Sequence, residues 1–217
     1  MPAESPRHLV LSRLRDEIRR IERRPARRSG SLACGQEEID RQLPGGGFPR
    51  GAITEVCGGP ASGKTRVALA VLRALEDHAL AAFVDGRGEL YPPALRALGV
   101  DLARLLIVRP VPRQARDERR GEPDPMFAGL WAAEALLGSG AFDAVAIDVP
   151  LVRAPRGLDP ALRRVQAAAE KGGAVGVWLS GPDARVRAPA VARVDLDRVE
   201  RSAASPRATR ARAGHAA

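Results

Sequence analysis

Eight consecutive residues, Gly58-Gly59-Pro60-Ala61-Ser62-Gly63-Lys64-Thr65, have types and spacing that could do chemistry. They fit the pattern of glycine, four residues, then Gly-Lys-Thr, known as a P-loop. Each part has a physical use. Glycines let a backbone bend and come close to phosphates without side-chain clash. Successive N–H groups then point inward and form an anion nest at the start of a helix. Lys64 would bring positive charge to the terminal phosphates, and the Thr65 hydroxyl would face Mg²⁺. One of only two lysines, Lys64 and Lys171, falls at the required position in a chain whose other basic side chains are all arginine. A nucleoside triphosphate, with ATP and Mg²⁺ as the expected pair, is the ligand this pattern points to.

Such a site needs an acid at the end of a buried strand to hold the metal, usually through water. Ala144-Val145-Ala146-Ile147-Asp148 supplies it, with Asp148 as the expected second metal residue beside Thr65. Hydrolysis needs one more group, to orient or activate the attacking water. Asp85 and Glu89 are the acids on offer after Phe83-Val84-Asp85, and Glu89 is the candidate base, although spacing alone makes neither catalytic. Tyr91 follows the same strand. It would either stack on adenine or be an ordinary surface tyrosine.

The elements around these residues alternate in type. Apolar strands are predicted at 53–57, 80–85, 105–108, 144–147, 174–179 and 191–196, with helices at 65–76, 92–98, 127–137 and 160–171. Interleaving of this kind implies an α/β fold, a mostly parallel sheet with helices on both faces. The segment 110–125, rich in Pro, Arg and acids, reads as an exposed loop. Near the N-terminus, Ser5-Pro6 starts a short amphipathic helix whose stripe is Leu11, Leu14, Ile18 and Ile21. A basic linker, 25–30, separates it from the core. The stripe would pack on its own domain or, as we favour, dock on another chain. After Val199 no periodicity remains, and that tail is expected to be disordered. The organisation expected is therefore a helix and linker over 1–30, a core over 31–197 and an Arg-rich tail over 198–217.

Composition sets the outer bounds. The chain has 217 residues, a net charge of +9, 45% hydrophobic and only 3% aromatic residues. Its length suits one domain with a core of aliphatic residues and alanine. The charge excess lies at the two ends, in arginines such as Arg201, Arg207, Arg210 and Arg212, while 31–197 is balanced. Basic ends attract polyanions or acidic partner surfaces, or simply aid solubility. Contacts with DNA through them, or through Arg113, Arg116, Arg119 and Arg120, would reach phosphates without sequence preference. Cys34 and Cys57 lack metal-ligand spacing and read as small buried residues. No apolar run is long enough to span a membrane, and no signal segment is seen, so a cytoplasmic location is expected.

The order of segments resembles the RecA family of recombinase ATPases. The entry run Ile39 to Gly51, the P-loop, Phe83-Val84-Asp85 with Leu90, Pro92 and Leu98-Gly99-Val100-Asp101, then Phe142 to Asp148 and Ala192 to Leu196, carry the likeness. It implies a RecA-like P-loop core, and it exposes departures. The family's catalytic glutamate stands two residues after the Asp of the FVD-like strand, where this chain has Arg87, a cation that cannot accept a proton from water. The switch glutamine is replaced by Ser180 or Gly181. The two DNA-binding loops shrink to about 149–157 and 181–189, and no family C-terminal domain is expected. Among shortened relatives the chain most resembles the ImuA accessory proteins of bacterial mutagenesis cassettes, which are related to the inhibitor SulA. That resemblance implies a nucleoid-associated role in damage-induced translesion synthesis. The implied partners are RecA, an ImuB-like inactive Y-family polymerase homologue and an error-prone replicative-type polymerase. A DNA-stimulated ATPase that remodels or loads proteins on DNA is the alternative.

Overall fold

A computed structural model describes residues 30–110, 124–182 and 184–197. The N-terminal helix, the arginines of 113–120 and the C-terminal tail lie outside the described residues.

Two short strands, β1 (Ser31–Leu32) and β2 (Phe48–Pro49), pair antiparallel around the first helix, α1 (Glu37–Asp40). The core follows as β3 (Ala52–Cys57), α2 (Lys64–Arg73), β4 (Ala81–Asp85), α3 (Pro92–Ala97), β5 (Leu105–Val108), α4 (Pro125–Ser139), β6 (Ala144–Asp148), α5 (Leu158–Gly172), β7 (Val175–Ser180) and β8 (Ala192–Asp195). Six strands form one sheet in the order β5-β4-β6-β7-β3-β8, and every pairing is parallel. Every residue of β3, β4, β6 and β7 is buried. That follows from their place in the sheet, since an inner parallel strand is covered on both faces and is mostly apolar on both. On one face α2 and α3 bring Val67, Val71 and Leu95 against Val56, Phe83, Val177 and Val194. On the other, α4 and α5 bring Leu130, Leu137 and Val165 against Ile53, Val84, Ile147 and Trp178. The α/β architecture with helices on both faces is as the sequence implies. No helix among the described residues is long and apolar enough to cross a membrane.

Element edges differ from expectation where side chains intervene. Helix α2 stops at Arg73 rather than running to Glu76, because Arg104 donates to the Glu76 carbonyl (2.6 Å) and holds the turn that leads to β4. Helix α4 starts two residues before Phe127. Asp124 caps it by accepting from the Met126 N–H (3.0 Å), and Pro125 fills the first turn. The expected loop therefore ends at Asp124 and not at Pro125. Helix α5 ends at Gly172 and is closed by Gly173 in the left-handed region, as the glycine pair predicts.

Cys34 and Cys57 are both buried, as small apolar residues would be. Beside Cys34, the Asp40 carboxylate accepts from the N–H groups of Cys34 (2.9 Å) and Gly35 (3.0 Å), fixing α1 to the chain entering the core.

Candidate functional site

Parallel strands place all their C-terminal ends at one edge of the sheet, where ligands of open α/β folds bind. Here that edge gathers Cys57, Asp85, Asp148 and Ser180. Strand β3 runs from there into the P-loop. A Cβ on Gly58 would meet the Ser62 hydroxyl at 2.3 Å, so only glycine lets the loop close on itself. Ala61 (φ +60°) and Gly63 (φ +85°) both adopt left-handed backbone. For Ala61 this costs about 1 kcal/mol. Strain kept at such a place fits a loop shaped for a ligand, since alternating backbone hands aim successive N–H groups at one point. Helix α2 begins at Lys64, so its positive N-terminal end faces the loop.

Lys64 folds back over the loop and donates to the carbonyls of Gly59 (3.1 Å) and Gly58 (3.4 Å). Thr65 is exposed in the first turn of α2. Pro60 and Ala61 are exposed on the loop. At its base the Asp197 carboxylate accepts from the Gly59 N–H (3.4 Å). No local pattern points to this residue; it arrives because β8 pairs with β3 in register and delivers the chain to the loop.

Asp148 ends β6 and is only 9% exposed. The Arg87 Nε donates to its Oδ1 at 3.0 Å. Burial pushes the Asp148 carboxyl above its ordinary value, Arg87 pulls against that push, Glu89 adds to it, and Lys64 opposes it. The four charged groups therefore share one electrostatic neighbourhood. Arg87 is the member that changes its chemistry.

Asp85, in register with Asp148, has another task. Its carboxylate, 2% exposed, accepts from the N–H groups of Glu89 (3.0 Å) and Leu90 (3.2 Å) and from Arg109 Nε (2.9 Å). It thereby fixes the turn that carries Arg87. Gly86 lays the turn on β6: its N–H donates to the Asp148 carbonyl (3.0 Å), and a Cβ there would lie 2.7 Å from that oxygen. Arg109 was missed in the sequence, yet it stands one residue past β5, whose Val108 pairs with Val84 beside Asp85. Tyr91 precedes α3 and is 66% exposed. Ser180 is buried with its hydroxyl unpartnered, and Gly181 follows it.

The residues fit the two expected groups unequally. The loop, Lys64 and the N-terminus of α2 suit a triphosphate. Asp148 Oδ1 already accepts from a guanidinium, whose positive charge opposes a second cation at the same carboxylate, so the metal half of the site does not fit as arranged. Among the described residues no cluster of three or more His, Cys, Asp or Glu could hold a metal by itself. A cleft of about 740 Å³ flanks the loop between α1 and α2. It touches Ala61, Ser62, Gly63 and Arg66 but not Lys64, Thr65 or Asp148, so it is not where this chemistry gathers.

Known proteins carry similar sequence. The chain is 36% identical over 132 residues to Protein RecA of Staphylococcus carnosus (strain TM300), covering 60% of this chain and 34% of that protein. It is 37% identical over 140 residues to Protein RecA of Salinispora tropica, covering 64% and 36%, and 38% over 127 residues to Protein RecA of Limosilactobacillus reuteri (strain DSM 20016), covering 58% and 32%. The chain thus spans about a third of the length of these curated relatives. Residues 15–158, which include β3 to β6 and the P-loop, match the model of the RecA N-terminal domain, and the chain belongs to that family.

Proposed function

We propose that this chain is an accessory, regulatory RecA-like protein that binds ATP at Gly58–Thr65 with negligible turnover and serves damage-induced translesion synthesis. One observation carries the reading. The P-loop keeps its cradle, while Arg87 stands where the family's catalytic glutamate is expected and binds Asp148 instead. A protonated guanidinium cannot act as a base, so binding is retained and water activation is not. Function then rests on what the nucleotide-bound chain touches. RecA is the first partner, with an ImuB-like polymerase homologue and an error-prone replicative-type polymerase beside it, reached through the basic ends. Any DNA contact is weak and made to phosphates. Tyr91 is exposed enough to serve as the adenine platform.

A second reading, a DNA-stimulated ATPase, draws on Glu89, whose charge is felt at Asp148. ATP binding and turnover decide between them, measured beside Lys64→Ala, with and without single-stranded DNA. Lys64-dependent binding with negligible turnover supports the adaptor. Lys64-dependent turnover stimulated by DNA makes the ATPase the better reading, with Glu89 as its base. Loss of RecA binding on removal of residues 1–25 would tie the partner to the N-terminal helix, and unchanged binding would sink that part.

A further inference from the structure

The turn after β4 is built to hold a cation over Asp148. Asp85 ties it down through two backbone N–H groups, Arg109 braces Asp85, and Gly86 presses it onto the last carbonyl of β6. The side chain so placed is Arg87, whose Nε lies 3.0 Å from Asp148 Oδ1. Among the described residues this is its one polar contact, and it uses only Nε, leaving the terminal nitrogens of the guanidinium uncommitted. They belong to a cationic group whose fork matches phosphate oxygens. Lys64 is close enough for its charge to act on the same carboxylate. Two cations, one of them from the P-loop, thus act on one buried carboxylate, in the place where a P-loop site sets an acid for its metal.

We propose that Arg87 takes the place of the divalent cation: with its Nε on Asp148 it turns its terminal nitrogens to the triphosphate, so that this chain binds nucleotide without Mg²⁺. The inference rests on the nucleotide reading above and adds to it the identity of the charge partner. Asp148 then anchors an arginine rather than a metal, and Thr65 contributes only a hydrogen bond.

The test is a fluorescence titration of the full chain with N-methylanthraniloyl-ATP, in excess Mg²⁺ and again in excess EDTA. The expected dissociation constants agree within about twofold. Arg87→Ala should weaken binding in EDTA by roughly tenfold or more, with part regained in Mg²⁺ once Asp148 is released. Arg87→Lys keeps a cation and should retain most of the metal-free binding. It also guards against misfolding, which thermal melting checks in each variant. A wild-type affinity that falls roughly tenfold in EDTA overturns the proposal while leaving nucleotide binding intact. So does an Arg87→Ala protein that binds in EDTA as the wild type does. Absence of binding in both buffers overturns the nucleotide reading itself, and this inference with it.

Discussion

Asp85 and Asp148 end neighbouring parallel strands in register, and each carboxylate holds a different arginine, Arg109 and Arg87. Asp148 faces the P-loop neighbourhood, whereas Asp85 is spent on backbone. Replacing Asp85 by Ala strands two N–H groups, while the exposed Arg109 keeps its bond to the Leu90 carbonyl (2.6 Å), and should cost about 3 kcal/mol. Asp85→Asn keeps one accepting oxygen and should cost roughly half as much. Urea denaturation gives both values. If the turn positions Arg87, Asp85→Ala should also weaken nucleotide binding more than its loss of stability explains.

Another buried acid lies in the middle of a strand rather than at its end. Glu55, 3% exposed, has one oxygen 2.9 Å from Arg193 Nη1 on the paired edge strand, and its other oxygen has no partner. Arg193→Ala would leave a buried charge alone and should destabilise the fold by about 2–4 kcal/mol. Replacing the pair together, Glu55→Gln with Arg193→Ala, should recover most of that loss. A double-mutant cycle in urea reads the coupling, and additive losses would show that the pair is not coupled.

Much of this arrangement is legible in the sequence because its signals are local. The P-loop declares itself in eight residues, and apolar runs such as Ala144 to Ile147 mark strands buried on both faces. Gly172-Gly173 marks a helix end in the same way. Contacts made by register are different. Arg109 reaches Asp85 and Asp197 reaches Gly59 only because β5 lies beside β4 and β8 beside β3, and strand order is not written in any one segment. Arg87 is the intermediate case. Its position marks a missing base, but its grip on Asp148 depends on the pairing of β4 with β6.

Helices α4 and α5 lie close together at Gly172, where a Cβ would collide with the Leu137 carbonyl oxygen. Backbone cannot yield there as a flexible side chain would, so Gly172→Ala must separate the helices. We expect a loss of about 1–3 kcal/mol. Thermal melting checks this, and the neighbouring Gly138→Ala is the contrast, because its Cβ would meet only the Ala168 methyl at 3.4 Å.

Cys34 gives a prediction in pH. Burial, assisted by the nearby Asp40 carboxylate, pushes its thiol up from 9.0 to about 11. The folded chain therefore keeps the proton over a range where the unfolded chain gives it up. With more protons bound to the folded state, stability must fall as pH rises from about 9 towards 11, and must be indifferent to this group below that window. Cys34→Ala should flatten that part of the stability curve measured in urea, whatever its effect at neutral pH. Thiolate is the reactive form. At pH 8 about one Cys34 thiol in a thousand is ionised on that value, so an aromatic disulfide reagent should leave Cys34 unmodified in the folded chain and modify it once urea unfolds the protein. Rapid modification of Cys34 in the native protein at pH 8 would mean that the entry segment around Asp40 opens far more readily than its two backbone hydrogen bonds imply.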